Sequence, residues 1–254
     1  MTEIGSIKIE RTYEVLGNIF TRKTDQNVIR ALEGTGFEHY ARMNDLLSKS
    51  SESRKRITHS LPLLSLLVEK YNPGNKDFVL NDVTLAPTVD DVHHITGLPI
   101  NGRKISEVMK KTYQNFGLKK LCEELLGKVP NNFGKKDILQ FTWLKENFMI
   151  VPHDVERDSP IFEQYIRTYV LYVIGLTLFP TSSPSSVHTS FLECLRVIGE
   201  IKDLNWSSGV LDFIHTSLEK CKNKGKTIEG STYTLLLSTD ITIELLILHQ
   251  LLLR

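Results

Sequence analysis

The sequence predicts a mainly α fold: a single helical domain with one small β-hairpin near residues 77-87. Three observations predict it. Apolar residues recur at helical spacing through most of the chain, and Ser, Thr, Asp, Pro and Gly stand where such segments start and stop. Only one pair of short runs, "DFVL" and "VTLA" around Asn81-Asp82, reads as paired strands.

The elements follow in order. Ser60 is placed to cap "LPLLSLLVEKY", with Pro62 in its first turn and Leu64, Leu67, Val68 and Tyr71 as one stripe; Asn72-Pro73-Gly74 ends it. After the hairpin, Thr88 fits an N-cap with Asp91 closing a capping box. Val89, Val92 and Ile95 are the inward residues of this helix, Gly97 suits a left-handed end and Pro99 blocks continuation. Asp137 is placed to cap "ILQFTWLKENF", and Ser159, with Pro160 at the first position, to cap "IFEQYIRTYVLYVIGLTLF". The latter is apolar nearly all round, which predicts the central core helix, with a neighbour close to Gly175 and an end at Phe179-Pro180. "TSSPSS" reads as a surface turn. "SSGVLDFIHTSLEKCK" presents Val210, Leu211, Ile214, Leu218 and Cys221 on one face.

Composition excludes several function classes. The 254 residues are 41% apolar, too many for a disordered chain. With 31 basic and 30 acidic side chains, no global field drives binding to nucleic acid or membrane. Cys122, Cys194 and Cys221 are far apart and odd in number, which predicts reduced core cysteines rather than a disulfide framework or zinc site. The start, "MTEIGSIKIERTYEVLGNIF", has no apolar run of signal-peptide length, so a soluble intracellular protein is expected. The C-terminal "TLLLSTDITIELLILHQLLLR" is interrupted by Asp240 and Glu244, which argues against a membrane span. Its stripe Ile241, Leu245, Leu248, Leu252 predicts a terminal helix apolar on most faces, a candidate surface for self-association.

Candidate chemistry is sparse. Asp90, Asp91, His93 and His94 invite a metal reading, but adjacent helical histidines diverge by about 100°, and the pair Asp90 and His94 is too small a ligand set. No phosphate-binding glycine loop, H-E-x-x-H or G-x-S-x-G is present. "SSVHTS" places serines near His188 without specifying triad geometry. Catalytic, cofactor and metal residues are therefore expected to be none. Asn205-Trp206-Ser207 matches a glycosylation acceptor, expected to be idle without a secretory signal, and "SRKR" at 53–56 is too short to establish nuclear import. Residues 101–136 carry nine basic side chains against Glu107, Glu123 and Glu124, and this is either a solvated surface or a phosphate-contacting one. Lys110, Lys111, Lys119 and Lys120 are its candidate nucleic-acid contacts, although Tyr113 and Phe116 are too few for a stacking platform.

Several segments together resemble the plant mobile domain family. They are "GFEHYARM", "LLSLLVEKYNPGNKDFVLNDVTLAPTVDDVHHITGLPINGR", "CEELLG", "FTWLKENF", "YVLYVIGLTLFP", "VHTSFLECL" and "KNKGKTIEG", in the family's order. The resemblance divides the chain into an extension at 1–27, a domain at 28–237 and a divergent or truncated C-terminal helix at 238–254. Tyr71 stands where the family usually has Trp, Ser207 replaces a glycine after Trp206, and the tail lacks the family's aromatic pair. The resemblance implies a helical domain found in transposable elements and in host genes derived from them. It implies a nuclear protein acting in transposon silencing, gene expression control or genome maintenance, with a protein phosphatase 7-like partner and nucleic acid or chromatin nearby. The family is also termed aminotransferase-like, which implies pyridoxal phosphate chemistry. That needs a Schiff-base lysine, a partner for the pyridine nitrogen and a phosphate cradle, whereas the glycines here stand at helix ends and turns. A non-enzymatic interaction module without a cofactor is the expectation.

Overall fold

A computed structural model describes residues 24–49, 61–80, 83–115, 117–131, 133, 137–181, 183, 185–225, 228–232, 234–236 and 238. The chain forms α1 (Gln26–Ala31), α2 (Phe37–Lys49), α3 (Leu61–Lys70), β1 (Tyr71–Asn72), β2 (Asp77–Leu80), β3 (Val83–Leu85), α4 (Val89–Thr96), β4 (Arg103–Lys104), α5 (Ile105–Asn115) and α6 (Leu118–Leu126). It continues with β5 (Ile138–Gln140), α7 (Phe141–Phe148), α8 (Pro160–Val173), a π-helical turn (Ile174–Leu178), β6 (Ser186–His188), two 3-10 segments (Thr189–Leu195 and Ile198–Asp203), β7 (Leu204–Asn205) and α9 (Trp206–Lys224). The fold is mainly α, as its sequence predicts. The Ser60 cap and the terminal helix from Ile241 to Leu252 lie outside the described residues.

Two helices organise the rest. α8 packs against α1, α2, α6 and α7, and α9 against α3, α4 and α5. Ser159 accepts from Phe162 N and Pro160 opens α8, so the predicted start holds. The helix does not run unbroken to Phe179. It turns π after Val173, and Phe179 N donates to Ile174 O across five residues. Gly175 lies in this turn, where an added Cβ would stand 2.7 Å from Phe141 Cζ and 2.8 Å from Val187 Cβ. That is the close neighbour the glycine predicts, and a π turn inside a long helix widens the backbone locally. On α9, Val210, Ile214, Leu218 and Cys221 are buried, with Leu211 at the margin.

The predicted hairpin is present and gains a strand. β1, β2 and β3 form an antiparallel sheet in which Tyr71 faces Phe78 and Phe78 faces Leu85. All three are buried while Val79 is exposed, as a two-residue period requires. Tyr71 thus completes the buried stripe of α3 from the strand that follows it. Two other pairings left no pattern in the sequence: β4 with β7, parallel, and β5 with β6, antiparallel. The second corrects the expectation that Asp137 caps a helix. Asp137 has φ +52, Ile138–Gln140 pair with Ser186–His188, and α7 starts only at Phe141, with no side-chain cap. Burial of Leu139 through this pairing outweighs a local cap.

A buried cation ties the layers together. Arg167, 5% exposed on α8, donates to the carbonyls of Leu125, Leu195 and Arg196 and to the Glu163 carboxylate. Its planar fork thereby satisfies chain ends on α6 and on the first 3-10 segment at once.

Candidate functional site

The predicted helix ends of α4 assemble a joint between distant segments. Thr88 accepts from Asp91 N while the Asp91 carboxylate accepts from Thr88 N, a full capping box. Gly97 takes the left-handed conformation, φ +71. Val92 and Thr96 form the buried side of α4, with Val89 and Ile95 half-buried, so the inward face is turned from the predicted one. The turn after Thr96 receives Ser207 of α9: Ser207 Oγ donates to Leu98 O and Ser207 N to Pro99 O. Gly36 approaches the same turn, where a Cβ would stand 2.6 Å from Gly97 O. Phe37 meets fully buried Trp206 edge to face at 5.1 Å. Two of the segments carrying the resemblance, at 36–43 and 63–103, therefore meet here at the start of α9.

Beside this joint lies a cavity of about 450 Å³, between α5, the end of the π turn, β6, the first 3-10 segment and α9. Its floor is aromatic: Phe179 contacts Phe191 at 5.0 Å and Phe213 at 5.5 Å. Lys104, His188, Asn205 and Asp212 bring polar groups to its lining. An apolar floor with a few placed polar groups is the usual make-up of a ligand or side-chain pocket. Sequence reasoning missed these three phenylalanines, which stand on three separate elements. Their one signal was that Phe179 and Phe191 lie inside resembling segments.

The cavity also holds the serine-histidine pair of "SSVHTS". His188 Nδ1 lies 2.7 Å from Ser190 Oγ, but it also accepts Ser190 N as the N-cap of the 3-10 segment. Ser190 is fully buried, so its hydroxyl is not presented for attack. Burial lowers the His188 pKa, opposed by Asp137 nearby. The three cysteines are buried in the core, and burial pushes the Cys122 and Cys194 thiols up to about 12, which makes them poor nucleophiles. His93 Nδ1 bonds Leu98 O and His94 Nδ1 bonds Asp90 O, so the two rings have separate backbone partners. Among the described residues no three His, Cys, Asp or Glu side chains gather as a metal site, and no helix is long and apolar enough to cross a membrane. Asn205 caps α9 by accepting from Ser208 N and Trp206 is fully buried, so the glycosylation match is engaged in the fold.

The candidate nucleic-acid contacts fall on two consecutive helices. Lys110 is exposed on α5, which also carries Lys111. Lys119 and Lys120 are exposed in the first turn of α6, which follows Gly117 and has neither an acidic residue nor a side-chain cap there. Cations at that end oppose the helix dipole. Arg103 and Lys128 of the same basic stretch are engaged, with Glu200 and with Asn147.

Residues 46–238 match the family model described as Plant mobile domain. Protein MAINTENANCE OF MERISTEMS of Arabidopsis thaliana is 25% identical over 220 residues, covering 84% of this chain and 45% of that protein. Protein MAIN-LIKE 2 of the same plant is 28% identical over 176 residues, 69% of this chain and 25% of its own. The Serine/threonine-protein phosphatase 7 long form homolog of that plant is 29% identical over 170 residues, 65% of this chain and 12% of its own. The chain spans less than half the length of these relatives. No solved structure matches it. With more than two thirds of its length inside the family model, the chain belongs to the plant mobile domain family.

Proposed function

We propose that this domain is a non-enzymatic, nuclear protein-interaction module of transposon origin, acting in transposon silencing, gene expression control or genome maintenance with a phosphatase 7-like partner. The observation that carries this reading is the range of proteins the domain resembles. It corresponds to 12% of one named as a phosphatase and 45% of one named for meristem maintenance, which supports a portable module set in proteins of different kinds. The phenylalanine-floored cavity supplies a place for a partner's apolar side chain. Against aminotransferase chemistry, no lysine is buried among the described residues, where a Schiff-base lysine would be desolvated.

The test is affinity purification of the protein from plant nuclei, with and without nuclease, beside a Phe213→Asp variant. Partner proteins retained after nuclease and lost with the variant support the reading. Recovery that vanishes with nuclease favours nucleic-acid binding, for which the specific observation is the pair Lys119 and Lys120 at an uncapped helix start. A pyridoxal absorbance band in the purified protein would overturn the non-enzymatic part.

A further inference from the structure

Arg103 and Lys104 are successive residues of β4 and serve opposite sides of it, as neighbouring strand residues do. Arg103 pairs with Glu200 on one side. Lys104 lines the phenylalanine-floored cavity on the other, where it is exposed and has no carboxylate within ion-pair distance among the described residues. It stands in register with Asn205, the N-cap of α9, and so at the positive end of that helix's dipole.

From Lys104 the cavity continues as a groove along α9. Ser208, Asp212 and Thr216 line it at successive turns, and Asn205 to Thr216 spans about 16 Å at the helical rise. Gly209 lies on the same side and leaves room for Ile105 of α5, which closes the floor there. Phe179 and Phe191 keep 5% and 8% of their surface, and Met109 and Phe213 are half-buried, so the floor presents accessible apolar area.

The polar groups at depth are engaged, since His188 Nδ1 and the Ser190 hydroxyl bond each other. The floor therefore recognises apolar side chains, and discrimination falls to the rim. On the rim Asp212 is offset by Lys76 at 3.5 Å, which leaves Lys104 as the unbalanced charge. A nucleic-acid strand would bring phosphates along the groove to Asp212 as well as to Lys104. A peptide brings one carboxylate to the Lys104 end alone.

We propose that this groove binds an acidic-apolar peptide segment of a partner protein. Bulky apolar side chains of the segment rest on Phe179, Phe191 and Phe213, and one of its carboxylates pairs with Lys104. The proposal rests on the interaction-module reading and names the partner's chemistry.

The test titrates short labelled peptides against the whole chain by fluorescence anisotropy. The peptides share their leucines and phenylalanine and differ in carrying glutamate, glutamine or lysine. The glutamate peptide binds about three-fold more tightly than the glutamine peptide, as one exposed ion pair allows, and the lysine peptide binds least. Lys104→Glu, a change on the surface, reverses that order, and Phe213→Ser weakens all three peptides. Absence of binding by every peptide, or an order that Lys104→Glu leaves unchanged, overturns the proposal. If Phe213→Ser fails to fold, the Lys104 charge swap alone decides. The two readings fail separately. Partners absent from the nuclear purification while the peptide order holds would remove the nuclear interaction role. Partners recovered there without any charge order among the peptides would remove the pairing with Lys104.

Discussion

Tyr71 and His215, 144 residues apart, meet in the core: the tyrosine hydroxyl lies 3.0 Å from His215 Nδ1 and the rings stack at 18°. The pair joins the strand after α3 to the middle of α9. Burial lowers the His215 pKa, and nearby Lys76 adds to that against Asp212. Burial, with Glu219 and Asp77, pushes the Tyr71 phenol up to about 12. Both groups are therefore held neutral, and one hydrogen bond joins the hydroxyl to Nδ1.

This gives a pH dependence of definite sign. A histidine whose folded pKa lies below its unfolded value binds protons first in the unfolded chain. Its contribution is complete above about pH 6.5 and is lost as pH falls toward the folded pKa. His215→Gln, which stays neutral, should therefore melt below the parent near neutrality, and the gap should narrow between about pH 7.5 and about pH 5. A gap constant over that range would show that His215 is not held neutral.

Gly97→Val forces a branched side chain into the left-handed turn after α4, and an added Cβ would also collide with His39. The expected loss is about 1–2 kcal/mol in urea unfolding. A variant that unfolds like its parent would contradict the placement of this turn against Gly36 and Ser207.

Arg167→Met removes a cation that serves the Leu125, Leu195 and Arg196 carbonyls and leaves those acceptors buried. Destabilisation on the order of 3 kcal/mol is expected by denaturant unfolding. Arg167→Lys, with a point charge in place of the fork, should recover less than half of it.

If the α5–α6 surface binds phosphates, association with a DNA duplex should weaken steeply with salt. Charge reversal at Lys110, Lys111, Lys119 and Lys120 should then flatten the log–log slope by about 0.9 for each phosphate no longer neutralised. Gel-shift titration across salt concentrations measures this, and binding indifferent to salt would remove the nucleic-acid reading.

By itself the sequence determined what is settled within three or four residues: the Thr88–Asp91 capping box, Gly97 as the left-handed stop and the Ser159-Pro160 start of α8. It also determined the β2–β3 pairing and the packing role of Gly175. Such features are legible because their energetic terms are local, and each residue type has one dominant local use. Tertiary structure decided the rest. Ile138–Gln140 became a strand because β6 lay alongside, and Arg103 paired with Leu204 across strands too short to carry a period. The phenylalanine-floored cavity depends on residues brought together from distant elements. No local pattern encodes them, since burial and hydrogen-bond satisfaction are properties of the packed interior and are set only when it closes.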